Sequence, residues 1–107
     1  MKPEEFGLEV TVEVIDSAAA EAYLQNNAYH RKVKQKKVDE YMKEMQDGKW
    51  KLNGKSIIFD KNGRLLNGQH RLAAVVQAGV PLTILVVRGI DPEVLETNPE
   101  NNVIITE

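Results

Sequence analysis

The chain contains no cysteine. That single absence excludes disulfides, thiolate metal sites and thiol nucleophiles together. Aromatic residues are scarce at 6%, and for the one tryptophan, Trp50, base stacking is the lesser expectation beside a place at the core edge. There are two histidines, His30 and His70, about 40 residues apart, without the spacing of a metal-ligand pair. No apolar run approaches the roughly 18–20 residues that span a bilayer. The start, Met1-Lys2-Pro3-Glu4-Glu5, lacks the basic-then-apolar order of a signal peptide, so a cytoplasmic location without a membrane is expected. Neither an internal repeat nor a low-complexity tract is present.

What is present is an ordinary globular composition, 42% apolar and 28% charged over 107 residues, which predicts a single domain. Net charge is −2 but unevenly laid out. From His30 to Arg71 there are 12 basic against 5 acidic residues, and elsewhere 2 against 11. An acidic total argues against a general nucleic-acid coat, while the basic centre can form one local patch.

Periodicity predicts the elements. Leu8, Val10, Val12 and Val14 alternate and predict a strand with these side chains on its buried face. Asp16 and Ser17 offer caps for an alanine-rich helix that Asn26-Asn27 closes. Val38, Tyr41, Met42 and Met45 fall at helical spacing, a stripe that reads as core, and Asp47-Gly48 ends it. Trp50 is expected to close the core edge with its N–H on a partner. Ile57–Asp60 and Leu65-Leu66 read as strands joined through the Asn62-Gly63 turn. Leu72, Val75 and Val76 begin another helical face, ended by Gly79 and Pro81. The apolar run Leu82–Val87 predicts a central strand. Asp91-Pro92-Glu93 opens a short helix, and Val103-Ile104-Ile105 in the tail adds an edge strand or frays. The fold class expected is α+β, a small mixed sheet packed with helices.

The stretch around Asn67-Gly68-Gln69-His70-Arg71 carries the functional signal. Asn67 is read as the N-cap, so His70 and Arg71 enter the first helical turn. Backbone N–H groups there have no intrahelical partner, and that end carries about +0.5 of a charge. Cationic side chains are unfavourable at this end unless an anion joins them, and a phosphate is the simplest. Gly68 would let the backbone approach it, N–H groups near Gln69 would bind oxygens, and Arg71 would pair bidentately. Truncating Arg71 is then expected to remove binding with little loss of fold. Arg31 would close the other side. The run His30–Lys37 supplies Lys32, Lys34, Lys36 and Lys37 as candidate phosphodiester contacts.

Trp50-Lys51-Leu52-Asn53-Gly54, Ile58-Phe59-Asp60 and Gly63–Ala74, with Val86–Asp91, resemble the ParB/sulfiredoxin superfamily. They look most like stand-alone ParB-like nuclease-domain proteins of bacteria and phages. The similarity spans about residues 10 to 96, leaving 97–107 as a tail. It implies a ParB N-terminal/sulfiredoxin-like fold with a nucleotide-phosphate site at the loop entering the central helix. Gly68 and Arg71 sit where ParB proteins carry the outer residues of Gly-Glu-Arg-Arg, which contacts CTP. Gly68, His70 and Arg71 match the ATP-binding Gly-Cys-His-Arg of sulfiredoxins, with Gln69 replacing the cysteine, so sulfinic-acid repair is excluded. No helix-turn-helix pattern follows, and ParB-type recognition of a centromere sequence is not expected. The resemblance therefore implies a nucleotide- or phosphate-binding protein that requires no cofactor, with a nucleoside triphosphate and Mg2+ as a candidate ligand pair. The alternatives are a DNA-binding protein, an enzyme of nuclease, NTP-hydrolysing or phosphoryl-transfer type with His70 as catalytic candidate, or a small phage-type accessory protein acting by surface contact. A homodimer remains open.

Overall fold

The computed structural model describes residues 7–27, 33–50 and 55–91. In order they form β1 (Glu9–Ile15), α1 (Ser17–Gln25), α2 (Gln35–Gln46), β2 (Ser56–Asp60), β3 (Leu65–Asn67), α3 (Gln69–Ala78) and β4 (Leu82–Ile90). The sequence-predicted order of seven elements is the observed one. The helix opened by Asp91-Pro92 and the strand at Val103 lie outside the described residues.

The architecture is α+β, and the described residues form a four-stranded mixed sheet of order β1-β4-β2-β3 with three helices. β4 runs antiparallel to β1 and parallel to β2, and β2 pairs antiparallel with β3. The apolar run Leu82–Val87 therefore does become an interior strand. α3 lies between α1 and α2 and packs against both. The core joins Ile15, Ile57, Phe59, Leu65, Leu82, Ile84 and Val86 of the sheet to Ala20, Val38, Tyr41, Met45, Leu72 and Val75 of the helices.

Local signals act as expected at several ends. The Asp16 carboxylate accepts from Ala19 N at 2.8 Å and caps α1. Gly79 ends α3 in the left-handed conformation, its N–H on Val75 O. Asn26 ends α1 and does more, because its backbone O accepts from Leu65 N and its side-chain amide donates to Gly63 O at 2.7 Å. The end of α1 is thereby tied to the β2–β3 turn.

Asp60 builds that turn. Its carboxylate, 2% exposed with its residue, accepts from Asn62 N, Arg64 N and Arg64 Nε at 2.8–2.9 Å. Burial works to raise its pKa, but these donors from Arg64 and Asn62 outweigh it and the net direction is downward.

Three expectations need correction. The N-cap of α3 is Gly68, not Asn67, which ends β3 and is 4% exposed. Trp50 does pack on the core, edge-on to Tyr41 at 5.9 Å between centroids, but its Nε1 has no hydrogen-bond partner among the described residues. The largest reversal is β1. Val10, Val12 and Val14 are 46%, 56% and 70% exposed, while Thr11, Glu13 and Ile15 face the helices. Ile15 at the strand's end is buried, and the odd-numbered residues must follow it inward because successive side chains alternate.

Asp60→Ala should leave three turn donors without their acceptor. We expect a loss of about 2–3 kcal/mol in urea unfolding, with the slope of the transition unchanged.

Candidate functional site at the starts of α2 and α3

β3 hands over to α3 through one residue. Gly68 has φ 106° and ψ 10°, a left-handed conformation that reverses the chain into the helix. A Cβ here would overlap the Ile57 side chain and lie 3.3 Å from Ile57 Cα. The glycine is therefore demanded by β2 beneath it, whether or not an anion approaches from outside. Gly68 O accepts from Leu72 N at 3.0 Å and closes the first turn.

The three residues that follow point in different directions. Gln69 turns inward, 5% exposed, and donates from Nε2 to Asn27 Oδ1 at 3.1 Å and Leu66 O at 3.3 Å. Arg71 is buried, 1% exposed. Its guanidinium carbon lies 5.6 Å from the Tyr41 ring centroid, and Nη1 donates to Ser56 O at 3.2 Å. It thus touches α2 and the start of β2 from its place in α3. His70 is half-buried, and its Nε2 accepts from Lys34 N at 3.1 Å. An imidazole that accepts there is neutral with its proton on Nδ1.

Lys34 is the N-cap of α2, so the His70 contact brings the starts of α2 and α3 together. Further along, Gln35 Nε2 donates to Gln77 Oε1 at 2.7 Å and holds α2 along the flank of α3. Neither helix start has a side-chain cap, and neither first turn has an acidic residue. The first turn of α2 holds Lys36, which is exposed, and Lys37, which is half-buried. Two electropositive helix ends and three lysines therefore share one neighbourhood.

Of the residues singled out in the sequence, Lys34 and His70 are brought into contact here, Lys36 and Lys37 follow in the first turn of α2, and Gly68 and Gln69 at the start of α3 are buried. Arg71 is continuous with them but turned into the core. Arg31 and Lys32 lie outside the described residues. Two carboxylates of the central region are engaged elsewhere: Asp60 in its turn and Asp39 with Gln35 Nε2 at 2.8 Å. Among the described residues no group of three or more His, Asp or Glu side chains is gathered.

A second polar cluster went unread in the sequence. On the helix-facing side of the sheet, Glu13 accepts from Arg88 Nη1, from Tyr23 OH at 3.0 Å and from Thr11 Oγ1 at 3.0 Å. Arg88 also stacks over Phe59 at 5.3 Å. The Arg88 hydrogen bond lowers the Glu13 pKa against partial burial, and the Glu13 bond in turn raises that of Arg88. Burial first, and then the bond to Glu13, raises that of Tyr23. The signal that could have found this cluster is the placing of β1 beside β4, which no local pattern contains.

Compared with protein-family models, curated proteins and solved structures, the chain matches none.

Two outcomes follow from this geometry. Arg71→Ala should cost about 2–4 kcal/mol of stability, by loss of its packing and of its Ser56 bond, which replaces the expectation of an undisturbed fold. Glu13→Gln should lower stability by about 1 kcal/mol at pH 7. Because the folded Glu13 pKa is depressed, its contribution is present above the unfolded value near 4.5 and lost as pH falls through the folded one. Thermal melts of wild type and Glu13→Gln should converge as pH falls below 4, and a constant gap would contradict the ion pair's role.

Proposed function

We propose that the chain is a phosphate- or nucleotide-binding domain of the ParB/sulfiredoxin type, taking its anion where α2 and α3 begin. The observation that carries this reading is the joining of two uncapped helix starts through His70 and Lys34. In an isolated fold, a carboxylate or hydroxyl at each start would be the ordinary way to satisfy the first N–H groups. Here lysines stand in the first turn of α2 and no acid stands in the first turn of either helix, so in this reading the complementary charge comes from a ligand.

In this reading the backbone N–H groups after Gly68 meet the phosphate oxygens. Lys34 and Lys36 supply charge from the exposed side. His70 orients the two helix starts by its bond to Lys34. Arg71 is not the group that grips the anion; it anchors α3 to Tyr41 and Ser56 and keeps positive charge behind the site. Ser56 begins β2, so the same arginine couples the site to the sheet.

The test is calorimetric titration and thermal shift with inorganic phosphate and a panel of nucleoside triphosphates, each with and without Mg2+. A ligand at 100 times its Kd should stabilise the fold by about 2.7 kcal/mol. Lys36→Glu places a carboxylate in the first turn of α2, which suits the helix dipole and spares the fold. It should nonetheless weaken binding about tenfold or more. No heat and no thermal shift with any of these ligands overturns the reading. Binding to duplex DNA alone, falling steeply between two salt concentrations, would replace it with a nucleic-acid interface.

A further inference from the structure

Among the described residues, no helix covers the outer face of the sheet. On β1 it presents Val10, Val12 and Val14, and beside them stand Leu85 and Val87 of β4 and Ile58 of β2. No charged residue falls among these positions. β1 is also the sheet's edge among the described residues, with β4 on one side only. Seven residues pair with β4 in unbroken register, without a bulge. None of them is proline or lysine. Among the described residues, neither proline, lysine nor a bulge blunts this edge. Its two acids are Glu9 and Glu13, both on the helix side of the strand, with Glu13 bonded to Arg88.

We propose that β1 pairs antiparallel with β1 of a second copy, about a twofold axis through Val12, joining two four-stranded sheets into one. The strand's own charges select this register. With Val12 opposite Val12, Val10 meets the second copy's Val14, Thr11 meets its Glu13 and Glu9 meets its Ile15. A twofold axis through Thr11 would set Glu9 against the second copy's Glu13. An axis through Glu13 would set that carboxylate against its own copy. Like charges directly opposite one another destabilise a strand pair, so both shifted registers are penalised. Axes through Val10 or Val14 avoid the clash but pair only three residues of each seven-residue strand. Thr11, whose hydroxyl already donates to Glu13 within the chain, stands beside the second copy's Glu13 in the selected register. The valines then flank each other across the axis, and the two apolar faces become continuous. The contact is isologous and closes as a dimer.

The absence of cysteine makes the register directly readable. Wild type should show a concentration-dependent dimer by sedimentation equilibrium. Val12→Glu opposes two carboxylates on the axis and should give a monomer with an unchanged far-UV spectrum, since the site is exposed. Val12→Cys should form a covalent dimer under mild oxidation. Val10→Cys should not, because the two thiol-bearing positions are four residues out of register, roughly 13 Å apart, beyond the roughly 7 Å limit between Cα atoms of a disulfide. Wild type that is monomeric at all concentrations overturns the proposal. So does crosslinking of Val10→Cys as readily as Val12→Cys, or a dimer that Val12→Glu leaves intact.

Discussion

The molecule depends on the close passage of Gly68 over Ile57. β2 and β3 form a hairpin, and α3 must leave β3 without rising off the sheet. A left-handed residue with no Cβ makes the turn in one step and sets the helix directly on β2. From that placement α3 becomes the central helix, touching both α1 and α2, and β4 returns parallel to β2. The candidate anion site and the core therefore share one hinge. Glycine at this position has a sufficient steric reason in the packing alone.

Arg71 shows how packing redistributes roles within a motif. The sequence places it next to His70, one residue along the helix. One helical step is about 100° of rotation, enough to send Arg71 to the interior and leave His70 at the surface. The guanidinium is tolerated inside because it meets an aromatic face and a backbone carbonyl. Its stem fills volume between α2 and β2 as an apolar side chain would. The charge stays near the helix starts while the side chain serves the fold.

The polar cluster of Glu13, Arg88 and Tyr23 and the valine face of β1 are two sides of one choice. Turning Glu13 toward Arg88 necessarily turns Val12 and Val14 to the outside. Four hydrogen bonds to the carboxylate and the Phe59 contact of Arg88 offset the desolvation of the charges. The exposed valines are thus a consequence of an internal ion pair, and they leave the sheet with an edge whose own sequence is self-complementary.

By itself the sequence determined the elements and most of their ends. Helical spacing marked Val38, Tyr41 and Met45 as core, Asp16 and Gly79 acted as caps, and the run Leu82–Val87 required an interior strand. These are local properties, carried by residues a few positions apart. The fold class followed from their order. What the chain alone left open was decided between distant segments. Alternation in β1 says that its two faces differ, not which one is covered, and the partner residues lie about 75 positions away. Likewise the first turn of α3 carried a glycine, a histidine and an arginine in plain view, but only the arrival of α2 and β2 sorted the histidine to Lys34 and the arginine to Tyr41. Side chains adjacent in sequence are separated by the helix, and their surroundings come from tertiary contacts that no local spacing encodes.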